Sequence, residues 1–94
     1  MSRLNNLPQT DFSVFRKLII ECLIKNGGKA SRQSVLSFID NKLQGHFLPG
    51  DLVWREKTFE EAWRNNASWM RQRLVNEGVI DNNAPRGIWK LSTN

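Results

Sequence analysis

Residues 58–91 read TFEEAWRNNASWMRQRLVNEGVIDNNAPRGIWKL, and the change of period inside this stretch sets the fold class. Thr58-Phe59-Glu60-Glu61 has the form of a capping box, in which the Thr58 hydroxyl meets the amide of Glu61 and the Glu61 carboxylate reaches back to the amide of Thr58. At about 100° per residue, Phe59, Trp63, Ala67, Met70 and Leu74 fall in one narrow sector, which reads as core. Gly78 ends this helix, about 30 Å from its start at 1.5 Å per residue. Beyond Gly78 the period becomes extended. Val79-Ile80 reads as a short strand, Asp81 to Gly87 as a polar turn, and Ile88-Trp89-Lys90-Leu91 as a returning strand. The expectation is a long helix followed by a β-hairpin.

Upstream, Thr10 or Asp11 can accept hydrogen bonds from the free amides of a first helical turn. Phe12, Phe15, Ile19, Cys22 and Leu23 then recur at helical spacing, with Lys25 near the C-terminus and Gly27-Gly28 as the stop. Lys29 and Ala30 allow only a brief extended link. Ser31 reads as the N-cap of a second helix carrying Val35, Leu36, Ile39 and Leu43 inward, with Phe38 beside them, and ending near Gly45. The connection from Gly45 to Lys57 holds a Pro49-Gly50 turn, and its Phe47, Leu48, Leu52, Val53 and Trp54 are too apolar for a free linker.

Two helices, a third helix and a hairpin, in that order and in 94 residues, describe an α+β, mostly α, winged helix-turn-helix. The expected division is a flexible N-terminus over residues 1–10 and a winged-helix DNA-binding domain over residues 11–94. The unusual feature is the long connection between the second and third helices, where a simple helix-turn-helix has three or four residues.

Composition narrows the classes. Hydrophobic residues at 39% and charged residues at 24% are a globular balance. The apolar stretch Leu18-Ile19-Ile20 is far short of a membrane span, and residues 1–7 lack the apolar centre of a signal peptide. One cysteine permits no intrachain disulfide and fits a reducing cytoplasm; with one histidine it leaves too few soft ligands for a structural zinc site. Fourteen Lys and Arg against nine Asp and Glu give +5, a balance suited to a polyanionic partner, although an excess of this size also serves solubility.

Asn65-Asn66-Ala67-Ser68-Trp69-Met70-Arg71-Gln72-Arg73-Leu74, then Gly78-Val79-Ile80, then Arg86-Gly87-Ile88-Trp89-Lys90-Leu91 resemble the N-terminal domain of Mrr-type, modification-dependent restriction endonucleases. That family's signature is an asparagine-led helix with a Gly-Trp-Ala step, a leucine five residues after the tryptophan, a Gly-Leu-Leu exit, and an Arg-Gly-x-Trp wing strand. Trp69, the Gly78 exit and Arg86-Gly87-x-Trp89 match in order and spacing. Ser68 stands in place of the usual glycine, Met70 in place of alanine, and Asn66 where arginine is common. All three lie on or beside the helix expected to meet DNA, so the family's sequence preference does not transfer. The resemblance implies a domain that delivers a separate nuclease domain of the same polypeptide to double-stranded DNA, methylated DNA included.

Opposite the core sector, the third helix carries Glu61, Asn65, Ser68, Gln72 and Asn76, flanked by Arg64 and Arg71. Asn and Gln can present a donor and an acceptor together to adenine, and Arg can present two donors to guanine. Amides outnumber charges at the centre of this face, unlike a face tuned only for solubility. Ser68 is small enough for close approach to a groove. Trp69 borders core and solvent; burial at a helix junction is the preferred reading, and a pocket for a methylated base is the alternative that the resemblance implies. Trp63 and Trp89 read as core, while Trp54 either caps the core or faces a partner. Arg86, at the hairpin tip, suits a phosphate or a minor groove, and Arg32, Gln33 and Lys29 suit backbone contacts near the second helix.

Catalysis finds no support. His46 has no serine or cysteine placed for a triad, Cys22 falls on a core face, and Glu56-Lys57 has no acidic strand to complete a nuclease centre. No cofactor or metal is expected, and any cleavage belongs to another domain. Two rival readings are a protein-interaction winged helix using the loop around Trp54, and a small stand-alone regulator that binds DNA as a dimer.

Overall fold

The computed structural model describes residues 7–93. Asp11 caps the first helix, α1 (Phe12–Lys25), by accepting from the Ser13 amide at 2.8 Å, and that bond holds its carboxyl below the ordinary value. Ser31 caps α2 (Arg32–Leu43) in the same way through the Ser34 amide at 3.1 Å. Both caps agree with the sequence reading. The third helix, α3 (Ala62–Asn76), does not begin where its capping box points. Glu61 is its N-cap residue and contributes no side-chain cap bond.

The reason is a hairpin that the sequence reading did not contain. β2 (Trp54–Arg55) and β3 (Glu60–Glu61) pair antiparallel, Trp54 opposite Glu61 and Arg55 opposite Glu60. Residues 56–59 form its turn, which places Thr58 outside the helix and holds Phe59 at φ 54°. Phe59, expected in the core, is 72% exposed.

A second antiparallel pair joins β1 (Lys29–Ser31) to β4 (Ile88–Lys90), with Ala30 opposite Trp89. The expected link at Lys29-Ala30 is therefore a strand. The expected strand Val79-Ile80 contracts to a single bridge between Ile80 and Leu91, extended by hydrogen bonds from Asp81 N to Lys90 O and from Ser92 N to Val79 O. The C-terminal arm thus lies between β1 and the segment leaving α3. This is a mostly helical α+β architecture with small antiparallel sheets.

The core joins Phe15, Ile19 and Leu23 of α1, Val35 and Ile39 of α2, Trp63, Ala67, Met70 and Leu74 of α3, and Ile80 and Trp89 of the arm. Full burial of each large apolar side chain contributes about 1.5–3 kcal/mol. Cys22 lies in the same cluster, and burial pushes its thiol pKa up. Phe47, from the connection, packs its ring 5.0 Å from that of Trp63.

The connection between α2 and α3 is folded throughout. A 3-10 turn over Pro49–Leu52 presents Asp51, fully buried, whose carboxylate accepts from the Thr10 amide at 2.8 Å, the Thr10 hydroxyl at 2.6 Å and the Leu48 amide at 2.8 Å. Gly50 N bonds Pro8 O at 2.8 Å, and a Cβ on Gly50 would stand 2.6 Å from that oxygen. Residues 8–10 are therefore tied to the connection, whereas the sequence reading assigned them to a flexible N-terminus. Residues 1–6 of that assignment lie outside the described residues.

Candidate nucleic-acid interface

Because α3 packs Trp63, Ala67, Met70 and Leu74 inward, the residues half a turn away must point outward. Asn65, Ser68, Trp69 and Gln72 line one depression of about 260 Å³ on that outer surface. Trp69 is 59% exposed, which corrects its reading as a core residue. On the wheel it lies about 120° from Trp63, beyond the edge of an apolar stripe roughly 100° wide. Asn66, which stands where the resembled family commonly has arginine, is buried. The N-terminal segment covers it, and its Nδ2 donates to Gln9 Oε1 at 2.8 Å.

Two arginines outside α3 reach this face. Arg32, at the start of α2, donates from Nε and Nη2 to Ser68 Oγ at 3.2 and 3.1 Å, and from Nη2 to both carboxylate oxygens of Glu60 at 3.1 and 3.0 Å. Ser68 in turn donates to the Arg64 carbonyl at 3.2 Å. Arg55 of β2 donates from Nη1 to Asn65 Oδ1. Arg55 and Glu60 are register partners, so one face of the β2–β3 hairpin turns toward α3. The Arg32–Glu60 pair is partly exposed, and an ion pair of that kind contributes about 0–1 kcal/mol. Its consequence is geometric: it holds one guanidinium against Ser68.

The flanking residues differ from one another. Arg64 lays its guanidinium 4.6 Å from the Trp63 ring centroid. Arg71 is half-buried, and its Nε has no hydrogen-bond partner among the described residues. Gln72 is exposed and donates from Nε2 to Asn76 Oδ1 at 3.2 Å. Gln33 is exposed near the start of α2.

At the tip of the C-terminal arm, Asp81 accepts from the Asn83 amide at 2.8 Å, Gly87 takes φ 83°, and Arg86 is exposed. Lys29 and Lys90 stand directly opposite each other across β1 and β4. The structure therefore brings Arg32, Asn65, Ser68, Trp69 and Gln72 into one locality, while Arg86 lies on the C-terminal arm next to Gly87, whose carbonyl accepts from the Arg32 amide at 2.9 Å. Sequence reasoning missed Arg55 and Glu60, which bond Asn65 and Arg32 from outside α3. Their signal was the pair of short extended steps either side of Glu56–Phe59, which a capping-box reading hides.

Among the described residues, no group of His, Cys, Asp and Glu side chains is arranged to hold a metal ion, and no helix is long and apolar enough to cross a membrane. No protein-family profile, curated protein or solved structure matches this chain.

Proposed function

We propose that this chain is a winged helix-turn-helix domain that binds double-stranded DNA, with α3 in the major groove and the 82–87 tip on the backbone or in the minor groove. The observation that carries the reading is the outer face of α3. There an exposed indole and the side chains of Asn65, Ser68 and Gln72 line one depression, and Arg32 is fixed at its edge. Amides and guanidinium groups are the side chains that read base edges, and a small serine permits close approach. The element order, the pairing of β1 with the final strand and the +5 charge support the same reading. On the motif resemblance to the Mrr-type N-terminal domain, we further propose that the domain delivers a separate nuclease domain and that methylated duplexes are among its targets.

The test is binding to randomised duplexes, unmodified and methylated. Gln72→Ala loses affinity mainly on the preferred sequence, by about 1–3 kcal/mol, whereas Arg86→Ala weakens all sequences alike. Uniform losses from both variants contradict base reading by α3.

One observation favours a second reading, a protein-interaction surface: Trp54, Phe59 and Leu52 are all exposed on the α2–α3 connection. Binding through that surface persists at high salt, unlike DNA binding.

A further inference from the structure

We propose that the outer face of the β1–β4 sheet is a further contact with the duplex, in which Lys29 and Lys90 straddle one backbone phosphate. The inference rests on the DNA-binding reading and extends the contact beyond α3 and the 82–87 tip.

The register sets Lys29 directly opposite Lys90, with Ala30 opposite Trp89 and Ser31 opposite Ile88. Side chains alternate along a strand, so Trp89, buried in the core, marks the inner face, and the two lysines share the outer one. Directly opposite Cβ atoms stand about 4.5–5.5 Å apart, and like charges placed there destabilise a sheet. Among the described residues neither lysine has an ion-pair partner. The Asp81 amide bonds the Lys90 carbonyl, but the Asp81 carboxylate accepts from the Asn83 amide. An external anion between the two ammonium groups turns this repulsion into two attractions. Lys29, Ala30, Pro85, Ile88 and Lys90 line a depression of about 330 Å³. Its apolar residues offer a surface for the deoxyribose beside that phosphate.

The occupant is a duplex phosphate because the sheet is continuous with the α3 face. Arg32 follows β1 directly; its amide donates to Gly87 O at 2.9 Å and its guanidinium reaches Ser68. Lys29 lies three residues back along the strand, about 10 Å away at 3.3 Å per residue. That distance is about three nucleotides of one DNA strand at 3.4 Å of axis each, so a backbone held at Arg32 continues past the lysine pair.

The experiment compares duplex binding across a salt series by wild type, Lys29→Gln/Lys90→Gln, and Lys17→Gln/Lys25→Gln, which removes the same charge from α1. Folding of each is checked by circular dichroism. The Lys29/Lys90 variant lowers the salt slope by about 0.9, the value for one phosphate, and weakens binding to all sequences alike, by about ten-fold at 0.1 M salt. The α1 variant stays near wild type. A single methylphosphonate, scanned along the selected duplex, weakens wild type at one phosphate where the Lys29/Lys90 variant is indifferent. Equal losses from the two variants, or no such phosphate, overturn the inference while leaving DNA binding intact. A wild-type chain without salt-sensitive duplex binding overturns the underlying reading as well.

Discussion

Replacing Asp51 with asparagine separates the clasp at the N-terminal segment from mere burial of a polar residue. The carboxylate is fully buried and accepts three hydrogen bonds, two from the backbone N–H groups of Thr10 and Leu48 and one from the Thr10 hydroxyl. An amide has one acceptor oxygen. If that oxygen serves the Thr10 amide, the new NH2 faces the Leu48 N–H; in the other orientation it faces the Thr10 N–H. Either way a buried donor meets a donor. A hydrogen bond to a charged acceptor contributes about 1.5–3 kcal/mol, and a buried unsatisfied N–H costs about 1–3 kcal/mol. Relief from burying a charge offsets part of this, so Asp51→Asn costs about 2–3 kcal/mol. At about 4–8 °C per kcal/mol for a domain of this size, the melting temperature falls by roughly 8–24 °C. Thermal unfolding followed by far-UV circular dichroism reads this directly. Asp51→Ala leaves both N–H groups unpaired and costs about 3–5 kcal/mol, against about 1–2 kcal/mol for Thr10→Val. In the double variant the two losses fall short of their sum by about 1 kcal/mol, because the Thr10 hydroxyl has already lost its acceptor. An Asp51→Asn protein melting within about 3 °C of wild type, or fully additive losses, refutes the reasoning.

Phe59→Asn changes stability by less than about 1 kcal/mol in urea unfolding, because Asn tolerates the left-handed conformation that Phe59 adopts; a core phenylalanine at this position costs about 3–5 kcal/mol on truncation. Trp69→Ala likewise lowers stability by less than about 1 kcal/mol but weakens duplex binding, and a loss of about 3–5 kcal/mol returns Trp69 to the core. Cys22, 1% exposed, reacts with a thiol reagent only as fast as the protein opens. Its folded-state pKa is raised from 9.0, so the unfolded thiol ionises first. The associated stability is complete well below pH 9.0 and is lost as pH rises through that value toward the folded-state pKa, a decline that Cys22→Ala removes.

What sequence periodicity conveyed was the inward face of each helix. Trp63, Ala67, Met70 and Leu74 share a sector because a helix repeats every 3.6 residues, and all four are buried. Asp11 and Ser31 were legible because a cap is a local hydrogen bond. Trp69 was misread although its wheel position already lay outside the apolar stripe; the other failures involve a non-local partner. Thr58 to Glu61 satisfy the capping-box pattern, but Glu60-Glu61 can instead pair with Trp54-Arg55, and the hairpin prevails. Extending the helix back to Thr58 then carried Phe59 into the core sector. Lys29-Ala30 looked like a link because its partner strand lies near the end of the chain. Residues 8–10 looked flexible because their partners, Gly50, Asn66 and Asp51, lie far along the chain. At the candidate interface, Asn65, Ser68 and Gln72 were recognisable from the wheel, while Arg55 and Glu60 reach it only through the hairpin.

The most direct test of DNA binding through α3 is a fluorescence-anisotropy titration of the chain with a labelled duplex pool across a salt series, repeated with Trp69→Ala. The expected result is tight binding at low salt, log affinity falling linearly with log salt at a slope of about −0.9 for each phosphate neutralised, and weaker binding by the variant at every salt concentration. Absence of duplex binding at low salt, or binding indifferent to both salt and Trp69, contradicts it.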